Sequence, residues 1–154
     1  MKQNAGHDLS QITDSLYLSS WPEGKHRDEI LERNIRLILC MHYRLPGKEL
    51  RQPPLRLIWL PTIDSPLTPI PISFLQRGAD EAIETIQEGY SVLVHCKYGI
   101  HRSAAMACCV MIAMGYQAQA AMRIAKDRRP IADPYVPHIR SRILRFEEAW
   151  NDYE

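Results

Sequence analysis

Hydrophobic residues along this chain alternate between short strand-like runs and longer stretches with helical spacing. The runs IRLILC at 35–40, RLIWL at 56–60 and VLV at 92–94 are rich in aliphatic and β-branched residues and predict buried strands. Residues 10–20 mix apolar and polar positions, which predicts one short edge strand entered by a turn at Thr13-Asp14. The pattern therefore predicts four strands, all of them before residue 96.

Apolar residues at a spacing of three and four predict helices between and after these strands. Glycine and proline mark the ends: Gly89 and Gly115 are placed to stop two helices, and prolines punctuate the exposed connection 41–54 and the loop 61–71. The predicted helices are a short surface helix at 25–34, an amphipathic helix at 73–88, an apolar helix from Ser103 onward, and amphipathic helices at 118–127 and 137–150.

Strands that alternate with helices indicate an α/β fold. We predict a three-layer-like single domain over residues 1–154, with a central, mostly parallel sheet of about four to five strands flanked by helices. In such sheets ligands bind at the carboxyl ends of the strands. The segment 95–103, which follows the run at 92–94, is expected to lie there.

Composition narrows the function without identifying it. The chain has 154 residues and a formal charge of +1, from 19 Lys and Arg against 18 Asp and Glu, so neither nucleic acid nor a membrane surface is expected as a partner. No apolar run is long enough to span a membrane, and a cytoplasmic monomer is expected.

The four cysteines show no metal-ligand spacing, so no metal or other cofactor is predicted. Cys40, Cys108 and Cys109 fit small core hydrophobes, although a role for one of them as a resolving thiol stays open. Cys96 differs because it stands in a loop.

The loop 95–103, HCKYGIHRS, joins a predicted strand to a predicted helix and carries the candidate chemistry. Its backbone N–H groups and the helix N-terminus form an anion site in which a Cys96 thiolate is stabilised and can act as a nucleophile. Arg102 offers a planar fork that matches two phosphoryl oxygens. Ser103 either donates a hydrogen bond to the sulfur or is a plain helix N-cap.

HCKYGIHRSA resembles the HCxxGxxRS signature of cysteine-dependent protein phosphatases, and its setting resembles the small dual-specificity phosphatases. ITDSLYLSS is similar to the opening strand of that family, PTIDSP to its general-acid loop and RRPIADP to its later arginine-bearing loop. The resemblance implies a cycle in which the cysteine thiolate attacks phosphorus and an aspartate first protonates the departing oxygen and then activates water.

The resemblance also implies which residues act. Asp64 matches the general acid by position, with a turn aspartate beside Pro66 as the alternative. His95 matches a histidine that orients the loop, and Arg129 matches an arginine that can face a second anion, unless it caps carbonyl groups. Lys97 and His101 make this loop more basic than usual and either recognise a second phosphate or face solvent. The implied substrate-binding residues are Lys97, Tyr98, Gly99, Ile100, His101 and Arg129.

The resulting hypothesis is a metal-independent phosphomonoesterase that forms a phosphocysteine intermediate and acts on phosphotyrosine, phosphoserine or phosphothreonine in proteins. Its partners would be phosphorylated proteins or small phosphate esters. An inositol-lipid or inositol polyphosphate phosphatase is the first alternative, motivated by Lys97, His101 and Arg129. A non-catalytic phosphate-binding module and a sulfur transferase are the others.

Overall fold

The computed structural model describes residues 6–153 and has five strands in one sheet. The strands are β1 Leu9–Thr13, β2 Leu16–Ser19, β3 Ile35–Cys40, β4 Arg56–Trp59 and β5 Ser91–His95. Their order across the sheet is β1-β2-β5-β3-β4. Only the β1–β2 pair is antiparallel, whereas β2, β5, β3 and β4 run parallel to one another. The predicted α/β class with a mostly parallel central sheet is confirmed.

The first predicted strand is wrong in form. Instead of one edge strand over 10–20, the chain makes a hairpin, with β1 at the edge of the sheet and β2 buried between β1 and β5. Asp14 and Ser15 form the turn, and the backbone N–H of Ser15 donates to Oγ1 of Thr13. The sequence pattern could not separate the two strands because both are short and share the apolar stretch around the turn.

Residues 6–153 form five α-helices, of which the last four contribute to one core and the first to the other. They are α1 Arg27–Glu32, α2 Ile72–Gln87, α3 Arg102–Ala113, α4 Ala118–Arg128 and α5 Pro137–Tyr153. There are also two short 3₁₀ helices, Gly24–His26 and Lys48–Arg51. The predicted helix at 25–34 is therefore divided into the first of these and α1.

Alternation along the strands separates two cores. In β5, Val92 and Val94 pack with residues of α2 to α5, whereas Leu93 faces the smaller core that contains Ile30 of α1 and Leu50. Helix α3 is the centre of the larger core, and its side chains from Arg102 to Ile112 are buried. A helix that is apolar on all sides can be stable only in this central position.

Because β3, β4 and β5 are parallel, the segments that follow them meet at one edge of the sheet. Met41 follows β3, the proline-rich segment 61–71 follows β4, and Cys96 follows β5. The backbone N–H of Met41 donates to the carbonyl of His95, and that of Leu60 donates to the carbonyl of Cys40, which ties these ends together. Among residues 6–153, no helix is both long and apolar enough to cross a bilayer.

Candidate active site

Cys96 lies at the carboxyl end of the central strand, directly below the start of α3. Its side chain is buried, with 3% of the residue exposed, and Sγ lies 3.1 Å from Oγ of Ser103. Helix α3 begins at Arg102 with His101 as the N-cap residue, so the alternative reading of Ser103 as the N-cap is wrong. Ser103 instead presents its hydroxyl to the sulfur, which agrees with the other prediction for this residue.

The segment 96–101, called here the Cys96 loop, is fixed by hydrogen bonds that its carbonyl groups accept from other parts of the chain. The backbone N–H of Trp21 donates to the carbonyl of Lys97 at 2.9 Å, and that of Asp133 donates to the carbonyl of Ile100 at 2.8 Å. Within the described part of the chain, the loop's own N–H groups from Lys97 to His101 have no protein acceptor. Together with the free N–H groups of the first turn of α3, they form a concave set of donors suited to an oxyanion.

Arg129 is the residue that holds the middle of this loop. Its Nε donates to the carbonyl of Gly99 at 2.8 Å and its Nη2 to the carbonyl of Tyr98 at 3.1 Å. Nη1 donates to Oδ1 of Asp8 and to Oγ of Ser10, both at 2.9 Å, and Nη2 also donates to Oδ2 of Asp8 at 2.7 Å. An arginine has five N–H donors, and all five are used here.

This arrangement corrects the predicted substrate contact of Arg129. The residue is only 2% exposed and has no donor left for a second anion, so it contacts the loop and the β1 segment instead. Gly99 adopts φ +69°, and a Cβ there would lie 2.6 Å from Nη2 of Arg129 and 2.7 Å from the backbone of Ser19. Glycine is therefore required at this turn both by its backbone angle and by the close approach of Arg129.

Some N–H donors of the Arg102 guanidinium form hydrogen bonds within the protein, and others do not. Nη1 donates to the carbonyl of Thr62 at 2.6 Å and to that of Met41 at 3.2 Å, so the segments after β4 and β3 fix its position. Its Nε is buried and has no hydrogen-bond partner among residues 6–153. A buried donor without a partner is costly, and an oxyanion bound in the loop would supply the missing acceptor.

Asp64 belongs to the segment after β4 and is bound by two histidines. Its Oδ2 accepts from Nδ1 of His101 at 2.7 Å and its Oδ1 from Nε2 of His138 at 2.8 Å. Burial raises the pKa of Asp64, but the hydrogen bonds from His138 and His101 outweigh it and bring that pKa below its ordinary value. Asp64 makes no Asx turn; the turn beside Pro66 is closed by Ser65, whose Oγ accepts from the N–H of Leu67.

His138 is the site residue that sequence reasoning missed. It lies in the first turn of α5, far from the Cys96 loop in sequence, and it has no motif around it. Sequence alone offered no signal, because the contact depends on how α5 packs against α3. His101 was predicted to face a phosphate or solvent, and its contact with Asp64 was not anticipated.

Lys97 and His101 point to different surroundings although both belong to the Cys96 loop. His101 contacts Asp64, whereas Lys97 lines a separate cavity of about 320 Å³, with its Nζ 5.2 Å from the ring centre of Tyr98. The remaining residues around that cavity are Trp21, His42, Tyr43 and Arg44. Two cations, a histidine and three further aromatic rings line it, and no carboxylate does.

Burial keeps one histidine and three cysteines of the protein interior uncharged at neutral pH. Burial lowers the pKa of His95 to about 4, and its Nδ1 donates to the carbonyl of Cys96 at 3.1 Å, which matches the expected orienting role. Burial raises the pKa of Cys40 to about 11, and it also raises the pKa of Cys108 and of Cys109. These three thiols stay protonated at neutral pH, so the geometry favours the core role predicted for them over that of a resolving thiol.

Comparison with known proteins places the chain in one family. Residues 16–148 match the family model described as dual specificity phosphatase, catalytic domain. Human dual specificity phosphatase 28 is 25% identical over 142 residues, which are 92% of this chain and 78% of that protein. Human dual specificity protein phosphatase 14 is 28% identical over 131 residues, which are 83% of this chain and 64% of that protein.

Solved structures of the same fold give high structural similarity at low identity. The crystal structure of human dual specificity phosphatase 28 has a TM-score of 0.84 at 22% identity, with 97% of this chain and 99% of that chain covered. The crystal structure of PTPMT1 in complex with PI(5)P has a TM-score of 0.85 at 20% identity, with 94% and 97% covered. At these identities the similarity establishes the shared fold.

Proposed function

The chain belongs to the dual-specificity phosphatase family, and from this premise we propose that it hydrolyses phosphomonoesters of protein side chains through a phosphocysteine intermediate on Cys96. The observation that carries the proposal is the set of groups around one sulfur. Ser103 Oγ lies 3.1 Å from Cys96 Sγ, the loop N–H groups have no protein acceptor, and Nε of Arg102 is buried without a partner. These donors suit a phosphoryl group that carries charge on three oxygens.

In the first half-reaction the Cys96 thiolate attacks phosphorus while the bond from phosphorus to the ester oxygen breaks. The loop N–H groups and Arg102 hold the phosphoryl oxygens as charge is redistributed over them. Asp64 gives its proton to the departing oxygen, so that the alcohol leaves as a neutral product. A phosphate dianion beside the carboxyl favours its protonated form, because a nearby like charge raises a carboxyl pKa.

In the second half-reaction water replaces the sulfur. Asp64, now ionised, accepts a proton from the attacking water, and the bond from phosphorus to sulfur breaks. Ser103 donates a hydrogen bond to the sulfur as it leaves, which stabilises the returning thiolate. Inorganic phosphate is then released and the free enzyme is restored.

Replacement of the nucleophile and of the acid tests this mechanism directly. With p-nitrophenyl phosphate, Cys96→Ser is expected to abolish turnover while it retains vanadate binding, because the anion cradle remains. Asp64→Asn is expected to lower kcat by roughly 10²-fold or more with little change in affinity, since only proton transfer is lost. Full activity in Cys96→Ser would falsify the proposal, and a chelator should leave the turnover of the wild-type protein intact.

The cavity beside Lys97 favours a second candidate, a substrate that carries a further anionic group such as an inositol phosphate. Arg44 and Lys97 both line that cavity, and neither forms an ion pair within the described residues. One neighbouring structure, PTPMT1, is a complex with PI(5)P. A second anion bound in this cavity of about 320 Å³ would be attracted by both cations.

A substrate panel separates the two candidates. The measurement is kcat/KM for a phosphotyrosine peptide, a phosphothreonine peptide and inositol bisphosphates, each with the wild-type protein and with the double variant Arg44→Gln and Lys97→Gln. If the cavity binds a second anion, the kcat/KM of the double variant should fall about tenfold or more on bisphosphates and little on substrates with a single phosphate group. Equal losses on all substrates, or higher rates on the peptides throughout, would rule out the second candidate.

A further inference from the structure

Asp64, His101 and His138 form a cluster whose polar atoms converge although the residues come from three different elements. Their ligand atoms all lie within 4.8 Å of one another. His101 caps α3, His138 lies in the first turn of α5, and Asp64 belongs to the segment after β4. The side chains of His101, His138 and Asp64 are 28%, 18% and 34% exposed, so the cluster is accessible from solvent.

Two imidazoles and one carboxylate are a typical donor set for a zinc ion with an open coordination position. Zinc takes histidine nitrogen at about 2.0–2.1 Å and carboxylate oxygen at a similar distance, which places neighbouring ligand atoms about 3.4 Å apart in a tetrahedron. The present nitrogen-to-oxygen distances of 2.7 and 2.8 Å are shorter than this separation, and all the ligand atoms lie within 4.8 Å of one another. Side-chain rotations that move these atoms by about an ångström would therefore open room for the ion. The hard ions Mg²⁺ and Ca²⁺ prefer an all-oxygen set and fit poorly.

We propose that Asp64, His101 and His138 form a zinc-binding site and that zinc bound there suppresses phosphatase turnover. The metal would replace the two hydrogen bonds to Asp64 and take the lone pairs with which that carboxylate receives a proton. It would also fix His101, the last residue of the Cys96 loop, to α5. The effect on turnover rests on the proposed function, whereas the binding site does not.

The choice of variants follows from which ring nitrogen each histidine uses. His138 bonds through Nε2, so His138→Gln keeps an N–H donor near Oδ1 of Asp64 while it removes the metal ligand. His101 bonds through Nδ1, so His101→Asn does the same near Oδ2. Cys96→Ser is the matched control for zinc captured by the reactive thiol, and MgCl₂ is the control for nonspecific binding.

Zinc affinity is measured by titration of ZnCl₂ into the zinc-free protein in competition with a chromophoric chelator. The proposal expects one zinc per chain in the wild type and in Cys96→Ser, and affinity lowered by more than about tenfold in His138→Gln and in His101→Asn. Unchanged affinity in both histidine variants would overturn the site. Loss of zinc binding in Cys96→Ser would assign the metal to the thiol and overturn it as well.

Turnover of p-nitrophenyl phosphate is then measured at buffered free zinc, with each protein compared with its own zinc-free rate. Inhibition should follow the wild-type binding curve and should be reversed by a chelator. A wild-type rate that is unchanged at full zinc occupancy would overturn the inhibitory effect. If the zinc-free wild type has no turnover at all, the proposed function fails, and the binding titration still decides the metal site.

Discussion

At the scale of single residues, Arg129 shows how many backbone groups one side chain can hold around Cys96. It joins the carbonyl groups of Tyr98 and Gly99 to the carboxylate of Asp8, so the N-terminal segment before β1 and the Cys96 loop share one guanidinium. Because the carbonyl groups are held outward, the N–H groups of the same peptides face the interior of the loop. The arrangement of the loop N–H groups therefore depends on a residue that is itself buried.

Arg129→Lys is expected to lower both stability and turnover. One ammonium cannot replace five directed N–H donors, and the buried acceptors left without partners cost about 3 kcal/mol. For a chain of this size that is a decrease of roughly 6–12 °C in Tm. Thermal unfolding and kcat with a simple aryl phosphate check the expectation.

The control for this prediction is the comparison of substrates. If Arg129 bound a second anion, Arg129→Lys would raise KM only for substrates with a second phosphate group and would leave Tm unchanged. A structural role predicts the same loss of kcat/KM on every substrate. Asp8→Asn, which removes the charge of one partner but not the contacts of Gly99 and Tyr98, should give a smaller loss of Tm.

The proximity of the residues in the Cys96 loop could be predicted from the sequence because they are close together along the chain. Cys96, Arg102 and Ser103 lie within eight positions of one another, and a strand followed by a helix leaves few ways to arrange them. Arg129 and His138 could not be predicted in their observed contacts. Their partners are distant in sequence, and nothing in the residues next to them indicates those partners.

At the scale of elements, the bounds of strands and helices were predicted best where the hydrophobic residues kept one regular spacing along the whole element. Strand β3 and helix α2 match the predicted bounds to within one residue, because both carry uninterrupted apolar periodicity. The hairpin of β1 and β2 was missed because a turn of two residues interrupts the pattern only briefly. The start of α3 was predicted one residue late, since the helix is capped by His101 rather than by a residue with strong capping preference.

The position of the Asp64 segment is also a property of elements rather than of residues. The segment follows β4, and β4 is parallel to β3 and β5, so its first residues must leave the sheet at the edge where the Cys96 loop lies. The contacts of Thr62 with Arg102 and of Asp64 with His101 follow from that placement. The topology could therefore be used to select Asp64, while its second partner on α5 needed the packed structure.

At the scale of the whole molecule, the acid side of the stability curve is set by histidines folded in a neutral state. His95 is fully buried beside the Cys96 loop, and burial lowers its pKa to about 4, with smaller contributions in the same direction from His42, His7 and the guanidinium of Arg102. Burial lowers the pKa of His42 and of His7 in the same direction. The near-neutral net charge of +1 adds little global repulsion to this local effect.

The free energy of unfolding is expected to fall as the pH is lowered from about 6.5 toward 4. A folded-state pKa below the unfolded value means that the unfolded state binds more protons, so the stability is fully present above pH 6.5 and is lost as the pH falls toward the folded pKa. For His95 alone this amounts to about 2 kcal/mol between pH 7 and pH 5. Urea unfolding at these two pH values measures this change in the free energy of unfolding.

The control variant is His95→Asn, which keeps a donor for the carbonyl of Cys96 but cannot titrate. It should therefore remove about 2 kcal/mol of the pH dependence, whatever its own stability. An unchanged slope in His95→Asn would assign the acid sensitivity to other groups, with His42 and His7 as the next variants to measure.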